Sequence, residues 1–128
     1  MNGPYALNLK PLNVPALLRQ FNLHPRKGLG QNFLVDEAAL AKVTAAAGLT
    51  PDETVLEIGP GLGSLTRHLA EAARRVVAVE IDESLLPALR FVLSSYSNVD
   101  IINGDILRLS PSSFLLPPSF LLPSSPFL

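Results

Sequence analysis

The chain has 128 residues, room for one domain at most, and its 48% hydrophobic and 16% charged content can bury a core and excludes wholesale disorder. It has no Cys, which removes disulfides, thiolate metal sites and a cysteine nucleophile, and its two His residues, His24 and His68, lie too far apart in sequence to support a histidine metal site. No apolar run approaches the roughly 18 residues that span a bilayer, and the start lacks a secretory signal pattern, so a soluble, cytoplasmic protein is expected.

The formal net charge of −1 conceals an asymmetry. Up to Lys27 four bases (Lys10, Arg19, Arg26 and Lys27) face no acid, whereas the remainder carries 11 acids against six bases. Such an arm suits a polyanionic partner and equally suits an ordinary solvated tail. Pro4, Pro11, Pro15 and Pro25 break any long helix, so residues 1–27 are expected as a basic, mostly extended arm with a short helical turn around 16–21.

The stretch 28–109 alternates helical and strand periods. Asp36 is placed to cap a helix over 37–47, with Val35 and Leu40 as a hydrophobic staple. Leu40, Val43 and Ala47 share one face of it, and Gly48 is the stop. Residues 54–58 read as a short, buried, β-branched strand. Ser64 is placed to cap the next helix, where Leu65, Leu69 and Ala72 align and Arg74 and Arg75 favour the negative end of the dipole. A second buried strand spans 76–81. A third helix spans 84–94 with Leu85, Leu89 and Val92 in line, and Pro87 is tolerated in its first turn because an N–H there has no partner. A third strand spans 99–102. Strands alternating with helices predict an α/β, doubly wound parallel sheet with right-handed crossovers.

From Ser110 onward the sequence is confined to Ser, Pro, Leu and Phe, and Ser-Phe-Leu-Leu-Pro occurs at 113–117 and again at 119–123. Pro at that density defeats helix and central strand alike. The low-complexity tail 110–128 reads as a misframed or artificial terminus rather than a designed element.

The sharpest signal is Glu57-Ile58-Gly59-Pro60-Gly61-Leu62-Gly63-Ser64, running from a strand directly into a helix. Glycine there allows a tight turn and brings bare backbone against a ligand, and the helix start beyond it offers unpaired N–H groups. Glu80 closes the next strand, where its carboxylate would accept hydrogen bonds from both hydroxyls of a ribose. A structural tight turn plus a surface Glu is the alternative. A dinucleotide fingerprint would want Gly or Ala at Ser64, whereas the third glycine stands one residue earlier at Gly63. Asn103-Gly104-Asp105 adds an acid at the same carboxyl edge of the sheet, in reach of an adenine amino group, although such a run is also a common turn.

With Glu57 ahead of the loop, the stretch resembles motif I of the S-adenosylmethionine-dependent methyltransferases. Gly28-Leu29-Gly30-Gln31-Asn32-Phe33-Leu34, the run from Val55 to Thr66, Glu80-Ile81-Asp82 and Gly104-Asp105 together closely resemble the small-subunit ribosomal RNA adenine N6,N6-dimethyltransferase family over about 26–109. The resemblance implies a Rossmann-like methyltransferase fold, truncated after the third strand. It implies S-adenosyl-L-methionine as cofactor, with Asn32, Leu34 and nearby Gln31 at its methionine end and Gly59 and Gly61 beneath methionine and ribose. Glu80 would then hold the ribose hydroxyls, Ile81 pack on the adenine face, and Asp105 bind the adenine amino group. Core packing is the competing role for Phe33 and Leu34. The implied partner is small-subunit ribosomal RNA in the small ribosomal subunit, with Arg26 and Lys27 on phosphates, no membrane and a monomeric state.

One departure stands out. The family transfers its methyl group at an Asn-(Leu/Ile)-Pro-(Tyr/Phe) motif after the fourth strand, and no such run occurs here. Asn13-Val14-Pro15-Ala16 lies in the arm without the aromatic and is taken as coincidence. In the implied fold strand four flanks strand one, so without it Val55, Leu56 and Ile58 are expected on an unpaired apolar edge. No catalytic residue is therefore assigned. The family activity stands first, an inactive cofactor- or RNA-binding fragment second, and a nicotinamide-dependent oxidoreductase domain third.

Overall fold

In the computed structural model, which describes residues 9–26, 33 and 36–110, the centre of the fold is the second strand. That strand, β2 (Arg75–Glu80), lies between β1 (Thr54–Ile58) and β3 (Val99–Asn103), and all pairings are parallel, in the order β1-β2-β3. Parallel neighbours need crossovers, and helices supply them. α3 (Ser64–Ala72) joins β1 to β2; a 3-10 turn (Glu83–Leu85) running into α4 (Leu86–Val92) joins β2 to β3. Val76, Val77 and Ala78 are wholly inaccessible, which is why β2 reads as a continuous apolar run rather than an alternating one.

Two more helices precede the sheet: α1 (Val14–Gln20) and α2 (Glu37–Ala47). Asp36 caps α2 by accepting from the N–H of Ala38 at 3.0 Å and of Ala39 at 3.3 Å, and Gly48 ends it at φ +61°, both as the sequence requires. The buried row of α2 differs from expectation. Leu40 and Thr44 are buried, whereas Val43 is 48% exposed and Ala47 is exposed. Thr44 is tolerated inside because its hydroxyl donates to the Leu40 carbonyl at 2.9 Å, a partner that hydropathy cannot see.

The cap of α3 also differs. Gly63, at φ +88°, takes the N-cap position, and Ser64 is the first helical residue. A Cβ at Gly63 would meet Leu89 Cδ1 at 3.1 Å, so close packing of α4 against the loop selects glycine over a side-chain cap. Arg75 belongs to β2 and pairs with Asp100 of β3 rather than serving the end of α3. The third helix begins as the 3-10 turn, with Pro87 in the first turn of α4 as expected.

Among the described residues, two clusters of buried side chains stand out in the core. One joins Leu49, Val55, Leu69, Ala70, Ala72, Ala73 and Val76. The other joins Val14, Leu17, Leu23, Leu62, Leu85 and Ala88, with Phe33 and Phe21 packed against it. Residues 14–20 are thus docked on the domain rather than held off as an extended arm. Asn13 has a local purpose as well: its side chain accepts from the Ala16 N–H at 3.1 Å and caps α1.

Among the described residues β1 pairs only with β2. The expected apolar edge is limited to its end, for Val55 is buried and Leu56 half-buried while Ile58 is 60% exposed. Strand side chains project from the two faces rather than from the edge, so the helices cover Val55 whatever lies beside the strand.

Candidate functional site

The site lies at the carboxyl ends of the three strands. Its geometry begins with the sheet register, which places Ile58 beside Val79 and Glu80 beside Asn103. The Gly59 N–H donates to the Val79 carbonyl at 2.8 Å and the Gly104 N–H to the Glu80 carbonyl at 3.0 Å, so the three strand ends are tied in line. Asn103 adds its Nδ2 to the Glu80 carbonyl at 2.9 Å. Glu80 and Asp105 are thereby brought to one rim.

Gly61 sits at φ +61°, and a Cβ there would lie 3.2 Å from Phe33 Cδ1. The loop must therefore turn left-handed close against an aromatic ring, and only glycine does both without strain. The Gly61 N–H donates to Glu80 Oε1 at 3.0 Å, and the Asp82 N–H donates to Oε2 at 3.0 Å. Glu80 is 4% exposed. Its carboxylate is locked in place, yet each oxygen keeps a lone pair for a further donor.

A cavity of about 510 Å³ opens here, within the range of small-molecule sites. Its lining includes Gly59, Gly61, Glu80, Ile81 and Asp105 together with Glu57 and Phe33. Ile81 is 53% exposed and presents an apolar surface to it. Asp105 caps the turn after β3 by accepting from the Leu107 N–H at 3.0 Å, so it is a turn former and a cavity residue at once. Phe33 packs on the core, as weighed from the sequence, and also lines the cavity.

Glu57 counts in the sequence only as the residue ahead of the loop, but the fold makes it a buried acid of the cavity. It accepts from Thr66 Oγ1 at 2.6 Å. Burial pushes its carboxyl up to about 7 against the opposing effect of the Thr66 hydrogen bond, and the nearby Glu80 charge pushes the same way. The signal available in sequence was its place at an inward position of a strand that ends in glycines.

The remaining expected residues lie elsewhere. Arg26, 60% exposed at its side chain, stands 3.7 Å from Asp82 through Nε. Gln31, Asn32, Leu34 and Lys27 lie outside the described residues, as do Val35 and residues 111–128 of the tail. Among the described residues there is no cluster of metal-ligating side chains, and no helix is long and apolar enough to cross a membrane.

Comparison with known proteins places this geometry. The sequence matches the family described as "Ribosomal RNA adenine dimethylase" over residues 22–117, three-quarters of the chain. The chain belongs to that family. It is similar to ribosomal RNA small subunit methyltransferase A of Pelotomaculum thermopropionicum, with 52% identity over 97 residues, covering 76% of this chain and 33% of the relative. The same protein of Alkaliphilus metalliredigens is 43% identical over 101 residues, covering 79% and 35%. Among solved structures, the 23S rRNA methyltransferase ErmE is 45% identical with a TM-score of 0.59, covering 68% of this chain and 34% of that one. The chain thus spans about a third of the length of the curated relatives it matches. Its fold is the Rossmann-like α/β fold of the methyltransferases, and the family match runs eight residues past Leu109, into the stretch that composition sets apart as a tail.

Proposed function

We propose that these residues form the cofactor-binding portion of an S-adenosyl-L-methionine-dependent enzyme that dimethylates adenine N6 in small-subunit ribosomal RNA. The observation that carries this reading is Glu80, fixed by two backbone N–H groups in the wall of a cavity that Asp105 shares. A carboxylate held in that way would accept from a ribose with little reorganisation, because each oxygen retains acceptor capacity.

The residues present fit the cofactor. Glu80 would take the ribose hydroxyls, the exposed face of Ile81 would cover the adenine ring, and Asp105 would accept from the adenine amino group. Gly59 and Gly61 leave backbone bare where methionine and ribose would pass, and Gln31, Asn32 and Leu34 are assigned to the methionine end on the family pattern. When bound, the cofactor supplies a methyl group on a sulfonium centre. This chain's part is to bind and orient it and, through Phe33 and the loop, to keep water from one side. Arg26 and Lys27 are assigned to RNA phosphates of the small ribosomal subunit. Family membership and the names of the relatives support the RNA substrate.

No Asn-(Leu/Ile)-Pro-(Tyr/Phe) run occurs in the 128 residues. A second reading for these residues is that they hold cofactor or RNA without turnover, since the motif that would align the target amino group is not among them. Incubation with labelled S-adenosylmethionine and unmethylated small-subunit RNA separates the two. Label in the RNA supports turnover; calorimetric binding of cofactor or of the RNA without label supports the binding fragment; and no label with no binding of either refutes both.

A further inference from the structure

We propose that Arg67 is a positioning residue for the cavity, a clasp that holds Phe33 over Gly61. Arg67 lies on α3, is 8% exposed, and its guanidinium holds two separate parts of the chain. Nη1 donates to the Lys10 carbonyl at 2.9 Å and Nη2 donates to Glu37 Oε1 at 3.1 Å. The second oxygen of Glu37 lies 2.6 Å from Nε2 of His68, which is 1% exposed. One side chain thus fixes both flanks of the segment that carries α1 and Phe33.

The consequence for the site follows from packing. Val14 and Leu17 of α1 share a cluster with Leu62 of the glycine loop, and Phe33 packs against that cluster. Phe33 thus packs on a cluster to which α1 contributes, and it lies between the two points, Lys10 and Glu37, that Arg67 holds. The residue before Arg67 is Thr66, which holds Glu57 in the cavity wall. A single turn of α3 so governs both the acid beneath the site and the ring above Gly61.

A buried ion pair is poor evidence for stability, since an apolar filler often serves as well. The fork of a guanidinium, however, serves two acceptors in fixed directions, which neither an apolar residue nor a lysine can do. The pairing is best understood as geometry imposed on the segment.

The inference rests on the cofactor reading above, and the test separates the two. In the full chain, Arg67→Lys, Phe33→Ala and the double variant are compared by calorimetry with S-adenosylmethionine and by the amide resonance of Gly61, which lies close to the Phe33 ring. Each single substitution is expected to weaken binding about tenfold, and the double variant to bind no more weakly than Phe33→Ala, because coupled residues do not add. Arg67→Lys is also expected to displace the Gly61 resonance in the same direction as Phe33→Ala. If Arg67→Lys fails to fold, Glu37→Gln takes its place, with a smaller loss that again vanishes without Phe33. Additive losses, or an unmoved Gly61 resonance in a folded variant, overturn the clasp. Wild-type chain that binds no cofactor while Arg67→Lys still moves the Gly61 resonance refutes the cofactor reading and leaves the clasp standing.

Discussion

The backbone N–H of Gly61 donates to Glu80 Oε1 at 3.0 Å, so the loop after β1 and the acid that ends β2 form one rigid unit. This bond explains why the loop and the acid belong together although they lie 19 residues apart. It also means that a change at either one is felt at the other.

Replacing Glu80 by Ala removes the acceptor of two backbone N–H groups and the proposed acceptor of two hydroxyls. Affinity for S-adenosylmethionine is expected to fall by about 1–3 kcal/mol, roughly five- to 150-fold. Titration calorimetry checks this, and an unchanged dissociation constant would place the cofactor elsewhere.

Gly48 and Gly61 have the same φ of +61°, but a Cβ on Gly48 meets nothing within 4 Å while one on Gly61 meets the Phe33 ring. Gly48→Ala therefore reports the left-handed penalty alone, about 1–2 kcal/mol. Gly61→Ala should lose more in a urea melt, the excess measuring the crowding against Phe33. Equal losses would show that the ring does not press on the loop.

Glu57 confers a pH dependence of definite sign. Its folded pKa of about 7 stands above the ordinary 4.5, so between those values the folded chain keeps a proton that the unfolded chain has released. The contribution of this group is full below about pH 4.5 and is lost as the pH rises toward 7, by up to about 3 kcal/mol. Glu57→Gln should flatten that part of the curve. Urea midpoints of both chains at pH 5 and pH 7.5 are the check, and parallel losses in the two would acquit Glu57.

The sequence carried the elements and the rim of the site because these follow from local rules. Thr54–Ile58 and Glu37–Ala47 fall where β-branching, the Asp36 cap and the Gly48 stop put them. Gly61, Glu80 and Asp105 meet because parallel strands deliver their carboxyl ends to one edge. What stayed hidden depends on contacts distant in sequence. Gly63 caps α3 because Leu89 crowds it, Thr44 is buried because its hydroxyl has a carbonyl to bond, and Arg67 reaches Lys10 and Glu37 only once α3 is packed. Docking of α1 was likewise unreadable from a segment whose prolines and charges suggested a free arm. The raised pKa of Glu57 is a property of burial and of Glu80 alongside, neither of which a linear pattern displays.

The central claim is tested most directly by titrating the purified 128-residue chain with S-adenosylmethionine and, in parallel, with a reduced nicotinamide dinucleotide. Saturable one-to-one heat with the sulfonium nucleoside and none with the nicotinamide is the result predicted. Heat with the nicotinamide alone, or with neither, from a chain shown to be folded would contradict it.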